Sequence, residues 1–333
     1  MKQTYRDTDF LHATARVRAL ENNMLGQKGL TKMVDAKNAE EAFKILSESA
    51  LGQGYELSSY EEGFTHSLLE TYNLVEEISP LPALASIFRY KYDGHNLKVA
   101  IKSRRLEKSY QSILTPLGNV PVQQLLSELD AGSFTTLDPA LAAGALAAQE
   151  QMAKTGDPQT VDILIDRAVL EAMGHAANRM DNSFLTRLVQ AQVDIANIRA
   201  VVRLRRMKKD VSMARRVLAQ GGRISVDALL EVYQKGYDEL FALLENLPYG
   251  PYLSPSFEAL REETSLTLFE KLCDNYLITL FDGTRFIPFG VEPLVAYLYG
   301  KECEVNAARI VLASKLAGVP ASQITERLRE TYA

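Results

Sequence analysis

The sequence predicts an all-α protein made of three similar helical domains. Apolar residues recur at helical spacing through most of its 333 residues. Alternating, strand-like patterns are nearly absent; Thr284 to Phe289 is the best of them, and it is short. One helix motif is written three times, at separations of roughly 100 and 110 residues, which is domain size and exceeds the usual solenoid repeat.

The helices announce themselves in order. Asn38 and Glu41 form an N-x-x-E start ahead of Ala42, Phe43 and Leu46, close to a capping box. Ser59 is a candidate cap for Tyr60 to Ile78, where Phe64, Leu68, Leu69, Tyr72 and Val75 fall at helical spacing. From Pro82 a helical pattern runs to about Lys108. Asp157 and Pro158 open another helix, Ser183 a further one, and Glu292 with Pro293 a last long one with proline at its first position.

The motif begins with an acid. Its first copy carries Asp93, Asn96, Leu97 and Lys98, its second Asp194, Asn197, Ile198 and Arg199, and its third Glu304, Ala307, Ala308 and Arg309. Arg104, Arg205 and Lys315 correspond further on. Leu117 to Pro121 precedes Leu125 and Leu126; Gly221 to Ser225 precedes Leu229 and Leu230; Gly318 to Pro320 precedes Ile324 in a shortened version. Each copy thus reads as a long helix, a glycine stop and the start of another helix. Domains are expected at 1–117, 118–221 and 222–333.

Asp194, Asn197, Ile198, Val201 and Arg205 share one helical face, while Arg199 points away. Asp194 and Arg205 stand roughly 16 Å apart along the axis and cannot pair directly. An acid and an amide on an apolar stripe suit an internal knot, bonding a neighbouring helix or helix end in each domain. A stripe lining an opening and meeting a partner is the alternative. The cations near the helix end, Arg203, Arg205, Arg206, Lys208 and Lys209, with Lys102, Arg104 and Arg105 in the first copy, either complement the helix dipole or dock an acidic partner or anionic headgroups.

Composition narrows the function. A net charge of −5 argues against nucleic acid as the main partner. Two cysteines, Cys273 and Cys303, without a CxxC exclude a disulfide framework or a structural zinc site. No stretch reaches the roughly 18 apolar residues of a membrane span. The longest Ala-rich run, Ala140 to Ala148, is interrupted by Gly144, and the amino-terminus lacks the apolar core of a signal peptide. No phosphate loop, paired-histidine metal motif or nucleophile elbow occurs, so no catalytic, cofactor-binding or metal-ligating residue is assigned.

Several ordered segments carry a resemblance. Pro288 to Leu294, Tyr297, Lys301 to Glu304, Arg309, Lys315 and Gly318 to Pro320 resemble the C subunit of the V-type/A-type ATP synthases, relative of the d subunit of the vacuolar ATPase. Tyr5 followed by Ala15 to Arg18, the segments at Asp93 and Asp194, and Asp166 with Arg167 opening a helix in the middle domain extend the resemblance along the chain. It implies a pseudo-threefold funnel of three helical domains with an axial opening. It also implies a non-catalytic central-stalk subunit, one copy per complex, at the cytoplasmic face of the membrane. Such a subunit sits between the central shaft of the soluble head and the membrane proteolipid ring, transmits torque and binds no nucleotide. The Tyr-rich segment Leu247 to Leu253, with Tyr249 and Tyr252, is a candidate contact loop or an ordinary interdomain loop. The alternative function is a helical scaffold for another assembly.

Overall fold

The computed structural model describes residues 5–106 and 110–332. Lys108 and the side chain of Arg105 lie outside the described residues. Every regular element described is helical. After a short 3-10 turn come α1 (Leu11–Glu21), α2 (Gly26–Asp35), α3 (Ala39–Ser47) and α4 (Tyr60–Ile78). Then follow α5 (Ser86–Leu106), α6 (Val122–Ala131), α7 (Pro139–Thr155), α8 (Pro158–Arg179), α9 (Ser183–Arg206) and α10 (Val211–Val217). The chain continues through α11 (Val226–Lys235), α12 (Tyr237–Glu245), α13 (Tyr249–Leu253), α14 (Phe257–Arg261) and α15 (Thr267–Thr279). It ends with α16 (Val291–Leu316) and α17 (Ala321–Arg327).

Contacts divide these helices into two compact units, one of residues 1–85 with 278–333 and the other of residues 86–277. The first unit joins the two ends of the chain. Its axis is α16, which packs against α1, α2, α3, α4 and α17. Leu294, Leu298, Val305 and Leu312 of α16 are buried, as are Phe10, Met33, Leu46, Phe64 and Tyr72 around it. A helix enclosed this way is apolar around most of its circumference. It also buries Lys301, Glu302 and Glu304. The Tyr72 hydroxyl donates to Glu302, so that buried carboxylate has a partner.

In the second unit α8 packs on α5 and α7. The Ala-rich run Ala140 to Ala148 lies within α7, and its small residues let that helix approach α8 closely. A Cβ on Gly144 would sit 2.4 Å from the Ala168 Cβ. Asp157 caps α8 by accepting from the Gln159 N–H at 3.0 Å, and Asn182 caps α9 by accepting from Leu185.

Several local expectations change. The helix expected from Pro82 starts at Ser86: Ala83 takes a left-handed φ of 60° and the Glu76 carboxylate accepts from the Ala83 and Ala85 N–H groups, which holds the chain in a turn. Pro293 is the third residue of α16, after a Gly290 cap at φ 124°. Thr284 to Phe286 forms a 3-10 turn and no strand, because the Thr284 hydroxyl and N–H both bond back to the Phe281 carbonyl. Asp166 and Arg167 lie mid-way along α8 instead of opening it.

Candidate functional site

The three motif copies fall on the long helices α5, α9 and α16, and each grips a second helix at both ends. In the second copy Asp194 accepts from the Arg223 and Ile224 N–H groups at 2.9 and 3.1 Å, just before α11. Tyr249, itself 1% exposed, donates its hydroxyl to the same carboxylate. Three turns on, Arg205 donates to the Tyr233 carbonyl in the last turn of α11 and lies over the Tyr237 ring. A negative group therefore faces the positive end of α11, and a cation its negative end. The geometry fits because α11 has 10 residues, about 15 Å of helix, against the roughly 16 Å between motif acid and motif cation.

The first copy repeats this on α6, another helix of 10 residues. Asp93 accepts from the Asn119 and Val120 N–H groups at 3.1 Å, and Arg104 pairs with Asp130 in the last turn of α6. Burial raises the pKa of both Asp93 and Asp194, while the donors converging on each carboxylate pull it back.

The third copy closes differently. Glu304 accepts from the Leu25 N–H at the start of α2, again 10 residues long, and Lys315 donates to the Ala36 carbonyl at its end. The gripped helix thus comes from the amino-terminal end of the chain and not from the shortened segment after Gly318. Lys301 neutralises Glu304 at 2.6 Å.

The motif amide has its own task. Asn197 accepts from the Ala219 N–H at 2.9 Å and donates to its carbonyl at 2.8 Å. Asn96 does the same for Thr115, at 2.9 Å in each direction. Both residues lie on extended connections whose backbone has no helical partner, so the amide supplies one. In the third copy α1 leads almost directly into α2, and helical backbone there satisfies itself. Ala307 suffices.

The glycines expected as stops serve a different end in two copies. A Cβ on Gly118 would lie 2.3 Å from Asp93 Oδ1, and one on Gly222 2.1 Å from Asp194 Oδ1. They leave room for the carboxylate, and the helices have already ended at Leu106 and Arg206. Gly318, with φ 69°, is a true helix stop.

A second face of each long helix bears cations that meet another helix. Lys98 and Lys102 pair with Asp166 and Asp162 on α8. Arg199 and Arg203 pair with Asp274 and Glu270 on α15. Arg309 pairs with Glu61 on α4 at 2.9 Å, and Ala313 stands where a second cation would be. Cations four apart matching acids four apart in reverse order mark an antiparallel pair. Sequence reasoning missed these pairs; the matching four-residue spacing is the signal that could have found them.

Lys208, Lys209 and Met207 are exposed beyond the end of α9. Tyr252 is half-buried with its ring against Tyr276, in the short helix α13. Among the described residues no helix is long and apolar enough to cross a membrane, and no cluster of side chains could hold a metal.

A family model described as ATP synthase (C/AC39) subunit matches residues 13–327. The chain belongs to that family. It is 22% identical to the C subunit of a V-type sodium ATPase of Enterococcus hirae, over 95% of this chain and 97% of that protein. It is 25% identical to the C subunit of an A-type ATP synthase of Methanobrevibacter smithii, over 96% and 88%, and 26% identical to that of Haloferax volcanii, over 95% and 96%. All three clamps fall within the span that this family model matches.

Proposed function

We propose that this chain is a non-catalytic central-stalk subunit of a rotary V/A-type ATPase, seated between the central shaft and the membrane proteolipid ring. In this role it is socket and spacer, turns with both and transmits torque. The observation that carries the reading is the family match over nearly the whole chain. The clamps support it physically. A torque-bearing part has to resist shear between its helices, and a helix held at both ends by charge resists sliding along its neighbour. The buried motif carboxylates are engaged by backbone donors, as befits structural groups.

Three clamps of one plan also support three like domains around an axial opening, the pseudo-threefold funnel. The domains then comprise α5 to α8, α9 to α15, and α16 with α17, completed by α1 to α4. This grouping shifts the boundaries at 117/118 and 221/222 to the starts of the long helices. In this reading a single shaft and a single ring take one copy per complex, seated at the cytoplasmic face of the membrane.

The test is removal and add-back. Membrane complexes stripped of this chain should hydrolyse ATP without pumping ions, and the purified chain should restore coupling. Ion pumping at the normal rate without it would overturn the reading.

A further inference from the structure

The turn after α9 holds a lysine in a conformation that favours glycine. Lys208 has φ 52°, in the left-handed region. Three hydrogen bonds fix the turn: Met207 N–H to the Arg203 carbonyl, Lys208 N–H to Arg205, and Lys209 N–H to Leu204, at 3.0, 2.8 and 3.0 Å. The same turn ends α16, where Ala317, Gly318 and Val319 bond to Ala313, Lys315 and Ser314 at 3.1, 3.0 and 2.9 Å. There the left-handed residue is Gly318, at φ 69°. Two motif copies thus build one turn, and only the second places a strained cation at its apex.

The neighbours extend the pattern. Arg203 is occupied by Glu270 and Arg205 by the Tyr233 carbonyl. Arg206 reaches only the Thr264 carbonyl, at 3.4 Å, and Arg206, Lys208 and Lys209 form no ion pair among the described residues. Asp210, the acid next in sequence, is turned to Ser212 and the Met213 N–H, where it caps α10. Met207 stands 55% exposed between the cations. The Tyr233 hydroxyl donates to the Lys209 carbonyl and braces the turn from below.

We infer that the Arg206–Lys209 turn is a preformed docking knuckle for an acidic face of another protein, with Met207 filling an apolar notch among the partner's carboxylates. A protein partner fits better than a lipid surface. Lipid binding by charge takes about 4–8 clustered cations, and a single exposed apolar side chain adds little insertion. In a chain whose net charge is −5, the knuckle is a local reversal of sign that acidic surfaces would find selectively. The inference leans on the rotor reading only in that a neighbouring subunit supplies the acids.

The test joins coupling chemistry to one substitution. Complexes purified from native membranes through a tag on this chain are treated with a water-soluble carbodiimide, which links amines to touching carboxylates. Lys208 and Lys209 should be found joined to Asp or Glu of a second protein. Lys208→Gly should leave Tm unchanged or raise it by about 1 °C, since strain is relieved. The same variant should bind the stripped complex about threefold more weakly at low salt, with a shallower salt dependence. Adding Arg206→Ala and Lys209→Ala should bring the loss to about tenfold. Binding by Lys208→Gly with wild-type affinity and salt dependence would overturn the inference. So would lysines coupled only within this chain, or binding to phosphatidylcholine–phosphatidylserine vesicles that the same variants abolish. If shaft and ring subunits are absent from the purified complex, the rotor reading fails, and the coupling products still decide the knuckle.

Discussion

Replacing Asn197 by alanine isolates the energetic weight of the motif amide. Its side chain holds both polar groups of Ala219, which is 1% exposed and out of reach of water. Alanine leaves one buried N–H and one buried carbonyl without partners, each costing about 1–3 kcal/mol, so about 3 kcal/mol is expected after relaxation. The unit that contains it, residues 86–277, is of a size for which each kcal/mol moves Tm by about 2–4 °C. Its transition should therefore fall by roughly 6–12 °C in calorimetry at constant pH. Asn197→Asp keeps the acceptor for the N–H but sets a buried carboxylate oxygen against the Ala219 carbonyl, with Asp194 one turn away, and should fall at least as far. Asn96→Ala should also cost less, because Thr115 is only half-buried and water can replace the amide. A fall of under about 1 °C for Asn197→Ala, or an Asn197→Asp variant as stable as the wild type, would refute this account of the motif.

Two glycines of the same unit should respond with opposite signs. Gly222→Ala drives a Cβ against Asp194 and should cost about 2–4 kcal/mol, while Gly174→Ala, within α8 and with nothing nearby, should gain about 0.5–1 kcal/mol; urea midpoints compare them. The motif cations should also differ by burial. Arg199→Met removes the cation shared by Asp274 and Glu270, in a pair 23% and 35% exposed, and should cost about 1–2 kcal/mol, whereas Arg309→Met, 37% exposed against a half-exposed Glu61, should cost under about 1 kcal/mol. Burial pushes the Cys273 thiol up to about 12. Its folded value thus lies above the unfolded one near 9, so its contribution is complete below about pH 9 and is lost as pH rises toward 12. Against Cys273→Ala, the wild type should lose up to about 1.4 kcal/mol per pH unit in that window, and iodoacetamide near neutral pH should label Cys273 no faster than the chain unfolds.

Much of this was legible in the chain. Helix spacing and caps are local signals: Asn38 accepts from the Glu41 N–H at 2.9 Å, and α4 runs from Tyr60 to Ile78 as the periodicity predicts. The acid, the amide and the distant cation on one face also followed from 3.6 residues per turn. Other features depended on neighbours. Nothing local distinguishes Gly222 as a stop from Gly222 as clearance for a carboxylate, because the clash it avoids lies 28 positions earlier, at Asp194. Tyr249 reads as a surface tyrosine until the fold turns its hydroxyl onto Asp194.

The third copy draws the division most clearly. The sequence by itself determined that α16 carries an acid and a cation spaced to hold a 10-residue helix, because that spacing is a property of one helix. Which helix fills the grip was decided by tertiary structure. Glu304 and Lys315 reach α2 across 279 residues of chain, and bonds of such separation leave no periodic trace. They form because the backbone N–H of Leu25 and carbonyl of Ala36, at the two ends of α2 and only partly open to water, need partners, and packing brings the two chain ends together around α16 to provide them.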